Sequence, residues 1–252
     1  YFGSRYYSSD LSIWLSVDPM SDKYASLSPY VYCANNPVKL VDPDGEEIVI
    51  HGADGDFTYI PGTTCNSTDW KVKAVWSNLD QMYEKEAGKD VLSAMCGENS
   101  PKFVITDAKG RYSNAANFSP DGKKGGTIYM NGEMENIKTF SHELFHGYQE
   151  MNNQGGLSCH NEVEAQIFSF LICGKEDLFP RFVNLSSNYW KAYQNLVNDT
   201  FSGIDDFLNL RDGFLQYSSA NTPVDGQKEG LYSKLNTPTG EGNTFLLSKY
   251  FK

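Results

Sequence analysis

Clusters of positive charge, membrane-length apolar stretches and paired cysteines are all missing from this sequence. Lys and Arg are scattered, and 21 of them against 32 Asp and Glu give a formal net charge of −11 and a pI of about 4.8. A phosphate backbone is bound through concentrated Lys and Arg, so no nucleic-acid partner is expected. The acidity by itself implies only solubility. No apolar run approaches the roughly 20 residues that cross a bilayer, which predicts no membrane span. The five cysteines, Cys33, Cys65, Cys96, Cys159 and Cys173, are odd in number and form no Cys-x-x-Cys pair. They therefore build no thiolate metal cluster and demand no disulfide framework. Tyr1-Phe2-Gly3-Ser4-Arg5-Tyr6-Tyr7 carries neither a start methionine nor a signal-peptide pattern, so the chain reads as the tail of something longer. Histidine is scarce as well, with 4 in 252 residues, and two of them stand in one motif.

The composition, 40% hydrophobic and 14% aromatic, is enough for a substantial core in one or two domains. Within it, Ile137, Phe140, Leu144, Phe145, Tyr148 and Met151 recur at three- and four-residue steps, the period of a helix laying one face on a core. That helix carries Ser141-His142-Glu143-Leu144-Phe145-His146-Gly147-Tyr148. Residues i and i+4 of a helix sit one above the other, so the imidazoles of His142 and His146 can converge on one metal ion. Glu143 is turned toward a water on that ion, and zinc is the expected cofactor. A lone buried histidine is more often a hydrogen-bonded core residue than a ligand. Two of them bracketing a glutamate at this spacing is the stronger signal, and it calls for a third ligand.

Asn161-Glu162-Val163-Glu164-Ala165-Gln166-Ile167-Phe168 begins a second amphipathic helical segment. Here the sequence resembles the gluzincin metallopeptidases, whose third zinc ligand is a glutamate on a second helix, within Asn-Glu-x-x-(small) or Glu-x-x-Ala-x-x-Phe. Glu162 matches both forms, and Glu164 is its competitor. Asn161 can cap the helix while Glu164, three residues on, reaches back in a capping-box-like exchange, which leaves Glu162 as the favoured ligand. Ala165, Gln166, Ser169 and Cys173 continue the face of Glu162 with mostly small side chains that admit the first helix closely. The resemblance implies an α+β, zincin-like fold, a protein or peptide substrate, and an edge strand ahead of the first helix that pairs with extended substrate. Residues 127–131 are the candidate for that strand, an ordinary structural strand being an equal alternative.

Residues 1–46 are different in kind, rich in Tyr, Ser, Asn and Pro. Tyr6-Tyr7, Trp14-Leu15-Ser16-Val17-Asp18-Pro19, Ser28-Pro29-Tyr30-Val31-Tyr32, Asn35-Asn36-Pro37 and Asp42-Pro43-Asp44-Gly45 closely resemble the core segment that ends RHS-repeat proteins. In that family the repeats form a β-shell, and the core segment precedes a variable C-terminal domain, often a toxin or effector. The resemblance implies a bacterial protein, secreted or delivered at the cell surface, with the RHS shell and a cognate immunity protein as further partners. Some members cleave themselves near paired Asp-Pro-x-Gly motifs. Here the second copy is intact, but the first reads Asp18-Pro19-Met20-Ser21, without its glycine.

The expected organisation is thus an extended or β RHS core segment over 1–46 and a metallopeptidase domain over 47–252. In the latter, Ile48-Val49-Ile50 and Phe57-Thr58-Tyr59-Ile60 predict a hairpin. A helix follows from the Ser67-Thr68-Asp69 start through Val72, Trp76 and Tyr83, with another past Gly88 around Val91 and Met95. Strands are predicted at 103–105 and 127–130, separated by a polar, glycine-rich stretch over 107–126. Periodic aromatics predict helices around 189–197 and 207–215, and residues 218–252 have no assignment. His51 and His160 are expected to be surface or loop residues.

Two other functions compete with zinc-dependent peptide hydrolysis based on Glu143. One is a non-catalytic, metal-stabilised binding or structural module. The other is a zinc nucleobase deaminase, suggested by His160-Asn161-Glu162 but lacking the Pro-Cys-x-x-Cys partner that chemistry requires.

Overall fold

The computed structural model describes residues 7–8, 13–15, 48–96, 100–110, 115–132, 134–156, 158–174, 186–220 and 245–251. Most of the predicted RHS segment, including Asp18, Asp42 and both Asp-Pro motifs, lies outside them. Its described part is an antiparallel pair, β1 (Tyr7–Ser8) with β2 (Ile13–Trp14).

The remainder is mixed α+β. The predicted hairpin is β3 (Ile48–Gly52) and β4 (Gly55–Tyr59), joined in antiparallel register with Ile48 opposite Tyr59. It leads to α1 (Trp70–Tyr83), whose N-cap Asp69 accepts from the Lys71 amide, and to α2 (Glu86–Met95). Then come β5 (Phe103–Asp107), β6 (Ala116–Pro120) and β7 (Gly126–Met130), completing a five-stranded sheet in the order β4-β3-β5-β7-β6. The central strands β3, β5 and β7 are parallel, and antiparallel strands close both sides. Alternation along the strands buries Phe103, Ile105, Ile128 and Met130 while Val104, Thr127 and Tyr129 stay half-buried, so one face of the sheet carries the core.

That face meets α3 (Ile137–Met151), which follows β7 after a short connection. Asn136 caps α3 by accepting from the Thr139 amide, and buried Asn78 of α1 donates to the Met134 carbonyl in the connection. α4 (Cys159–Cys173) is buried on nearly every side, and packs against α2, α3 and later α6. Burial takes in polar residues as well as apolar ones, with His160, Asn161, Glu162, Glu164 and Ser169 among them, so α4 is a core helix. Ser158 caps α4 by accepting from the Asn161 amide, so the helix starts before Asn161. The predicted Asn161 and Glu164 capping exchange is thereby corrected: Asn161 is already inside the first turn, and Ser158 takes the cap.

Helices α5 (Ser187–Val197) and α6 (Ile204–Ala220) form an outer pair. Residues 245–251 return as a strap across the core. Phe245 stacks on Phe207 at 4.4 Å and Phe251 sits 4.7 Å from Phe201, while Lys249 and Tyr250 both bond Asp90 of α2.

Two expectations for the sheet need correction. Residues 127–131 do not lie at an edge, since β7 runs between β5 and β6. Among the described residues the edge is β6, inside the stretch that the sequence presents as a polar separator. β6 lies close on β7 because Gly126 has no side chain: a Cβ there would meet the Ser119 carbonyl oxygen at 2.4 Å and the Phe118 ring at 2.7 Å. Gly126→Ala is expected to push β6 off β7 and lower stability by about 1–3 kcal/mol, as overpacking does. Urea denaturation checks this, and an unchanged midpoint would contradict the close packing.

Candidate metal centre

The α3 and α4 helices lie close enough for the hydroxyls of Ser141 and Ser169 to meet at 3.1 Å. Small residues at the contact make that approach possible, as the small face of Ala165 and Ser169 predicts. Next to this contact, three side chains converge. His142 Nε2 and His146 Nε2 are 3.1 Å apart, and Glu162 brings Oε2 to 3.3 Å from the first and Oε1 to 3.5 Å from the second. These side chains are 11–16% exposed, sheltered yet reachable. Together they form a group that could hold a metal ion.

Burial pushes the Glu162 carboxyl upward, but the adjacent His146 and His142 imidazoles outweigh it and hold the group at about 2. Burial pulls the His142 imidazole downward, yet the hydrogen bond and charge of Glu162, aided by Glu143, raise it overall. The outer nitrogens of the two rings differ. His146 Nδ1 meets Gln149 Oε1 at 2.9 Å, whereas His142 Nδ1 is buried with no partner among the described residues.

Glu143 is one residue round the helix from His142 and stays out of the group. Its Oε2 accepts from the Phe118 amide at 2.7 Å, linking α3 to the edge strand. A cleft of about 690 Å³ opens there, lined by β6 residues 116–118, by Glu143 and by all three members of the group. Among the described residues its lining contains no tyrosine and no third histidine. Lys138 and Gln166, four residues before His142 and four beyond Glu162, bring N–H donors to the same lining.

Glu164 has a separate task. Fully buried, it accepts from Gln149 Nε2 at 3.0 Å and from the Leu247 amide of the strap at 3.2 Å. His160 is also buried, with its ring 4.7 Å from Phe207, which corrects its expected place at the surface and keeps it out of the group. His51 is exposed, near Asp56. Gln149 and the Phe118 amide escape sequence reading. Gln149 offers only a faint signal, its place three residues after His146 on the same helix face.

The two helix acids are driven in opposite directions, since burial raises Glu164 from 4.5 to about 7 against the bonds it accepts. A carboxyl whose folded pKa is raised binds more protons when folded, so its contribution is full below about 4.5 and is lost as pH rises through about 7. Glu164→Gln should flatten that fall in the metal-free protein, as measured by urea unfolding across this range. An unaltered slope would show that Glu164 is not its source. No family model matches the chain, and no curated protein matches it.

Proposed function

We propose that the chain is a zinc-dependent peptidase, with His142, His146 and Glu162 as ligands and Glu143 as general base. The observation that carries this reading is the convergence of two imidazole nitrogens and a carboxylate beside an open strand edge, with a second carboxylate on the adjoining turn. Tetrahedral zinc with bonds of about 2.0–2.1 Å separates its ligand atoms by roughly 3.3 Å. The imidazole nitrogens at 3.1 Å, each with a different Glu162 oxygen nearest it at 3.3 or 3.5 Å, stand near that separation, and two His with one Glu leave a fourth position open, as catalytic zinc requires.

When bound, zinc supplies Lewis acidity, bringing the pKa of water toward about 7 and polarising an amide carbonyl. Glu143 takes the proton of the attacking water and delivers it to the departing amine nitrogen. The Phe118 amide holds the carboxylate of Glu143 at the cleft in readiness for this. Because that N–H points away from β7, Ala116 and Phe118 turn their backbone groups to the outer side, and with the Phe118 N–H held by Glu143 an extended peptide would pair there with the Ala116 backbone and the Phe118 carbonyl. β6 therefore takes over the role of substrate rail from residues 127–131. Lys138 and Gln166 are the candidates for stabilising the oxyanion.

The resemblance of residues 1–46 to the RHS core supports a wider proposal. The peptidase is the effector or toxin tip of a longer bacterial RHS protein, secreted or surface-delivered, and restrained by an immunity partner. One observation favours a second reading. The Glu143 to Phe118 bond is also a strut between helix and strand, as a non-catalytic, metal-clamped module would need.

The purified protein should hold about one zinc per chain, and His142→Ala or His146→Ala should abolish tight binding. A folded protein that takes up no zinc when offered it would rule out the catalytic reading. Glu143→Gln separates the two readings, because the glutamine oxygen still accepts from Phe118 while the base is lost. Zinc content and fold should persist, and cleavage of unstructured proteins should fall by about 10²–10⁴-fold. Equal cleavage by parent and variant at equal zinc content would exclude hydrolysis through this site.

A further inference from the structure

Gln149 is fully buried, and its three hydrogen bonds leave only one orientation for its amide. Nε2 lies 3.1 Å from the Asn161 carbonyl oxygen and 3.0 Å from Glu164 Oε2. A peptide carbonyl can only accept, so the atom facing Asn161 must be the amide nitrogen, whatever the protonation of Glu164. Oε1 is then the atom 2.9 Å from His146 Nδ1, and that ring nitrogen must carry the proton. The lone pair of His146 is left on Nε2, directed at His142 and Glu162.

The anchor of this arrangement is itself fixed. Asn161 donates through its side chain to the Gln154 and Gly156 carbonyls, and its own amide is tied to Ser158, so its carbonyl has little freedom to turn. Glu164 is held from its other side by the strap amide of Leu247. Among the described residues no comparable support reaches His142, whose buried Nδ1 meets no partner there.

We propose that Gln149 is the positioning residue of the metal centre. It selects the Nδ1–H tautomer of His146 and holds the ring with Nε2 toward the ion, while the Asn161 carbonyl and Glu164 set the polarity of its amide. This rests on the reading of His146 as a metal ligand, and among the described residues it identifies an asymmetry in which His146 has an outer partner and His142 has none. Outer hydrogen bonds of this kind commonly contribute 10–100-fold to metal affinity.

The test compares Gln149→Met, similar in size but without an acceptor, and Gln149→Glu, which keeps an acceptor for His146. Zinc affinity is read by chelator competition. The His146 tautomer is read by long-range ¹H–¹⁵N correlations of the imidazoles in metal-free protein at alkaline pH. The wild type should show the proton on Nδ1. Gln149→Met should lose that signature and bind zinc roughly 10–100-fold more weakly, whereas Gln149→Glu should keep the signature. A wild-type ring protonated on Nε2, or a folded Gln149→Met with unchanged affinity, would overturn the proposal. Loss of the signature in Gln149→Glu would overturn it too. If Gln149→Met does not fold, the wild-type and Gln149→Glu spectra still decide. A wild type that takes up no zinc would remove the metal-ligand reading on which this rests, while the ring correlations, which need no metal, would still decide whether Gln149 fixes the His146 tautomer.

Discussion

Two imidazole nitrogens 3.1 Å apart, with a carboxylate at 3.3 and 3.5 Å, bring concentrated lone-pair density to a mostly buried point. Without a proton or a cation between them such atoms repel, and burial strengthens the repulsion by removing water. Much of the surrounding architecture serves to hold them together. Ser141 and Ser169 let α3 and α4 close on each other, while Gly147 lets α3 settle on Phe103, to which a Cβ would come within 3.1 Å. Packing of this kind resists small displacements, because interiors are too dense to yield by fractions of an ångström without cost.

Four carboxylates around the site divide by environment. Glu162 and Glu164 are two residues apart on one helix, yet the first faces the imidazoles and the second faces an amide and the strap. Glu143 and Glu150 both line the cleft, but only Glu143 is bonded by a strand amide at its rim. Their identical chemistry is sorted by partner and burial, and under the proposed function that sorting would leave Glu162 to ligation, Glu143 to proton transfer and Glu164 to structural support.

Elements that announce themselves by long periodicity were legible in the sequence. Helices α1, α3, α5 and α6 follow their apolar spacing, and α1 starts at the Asp69 signal. The grouping of His142, His146 and Glu162 was legible because i, i+4 spacing is geometric and Glu162 offered a recognisable context. β6 was not, since Ala116-Asn117-Phe118-Ser119-Pro120 has a single large apolar residue and ends in proline. An edge strand needs little more, because only its pairing with β7 defines it. The start of α4 was misread for a local reason: Ser158 and Asn161 are both good caps, and tertiary bonds to Gln154 and Gly156 claim Asn161. Gln149 and Glu164 draw their roles from partners far along the chain, and local pattern cannot display those.

The strap separates the making of the ligands from the completion of their support. Leu247 donates to Glu164 across 83 residues of sequence. At about 5–20 residues per second on a ribosome, that span is roughly 4–17 s of synthesis. For that interval both histidines and Glu162 exist while the brace behind them has an acceptor and no strap to fill it. Contacts this distant in sequence also close late when a complete chain refolds, since the longer loop carries the larger entropic cost. In both settings the three candidate ligands would precede the strap that braces Glu164.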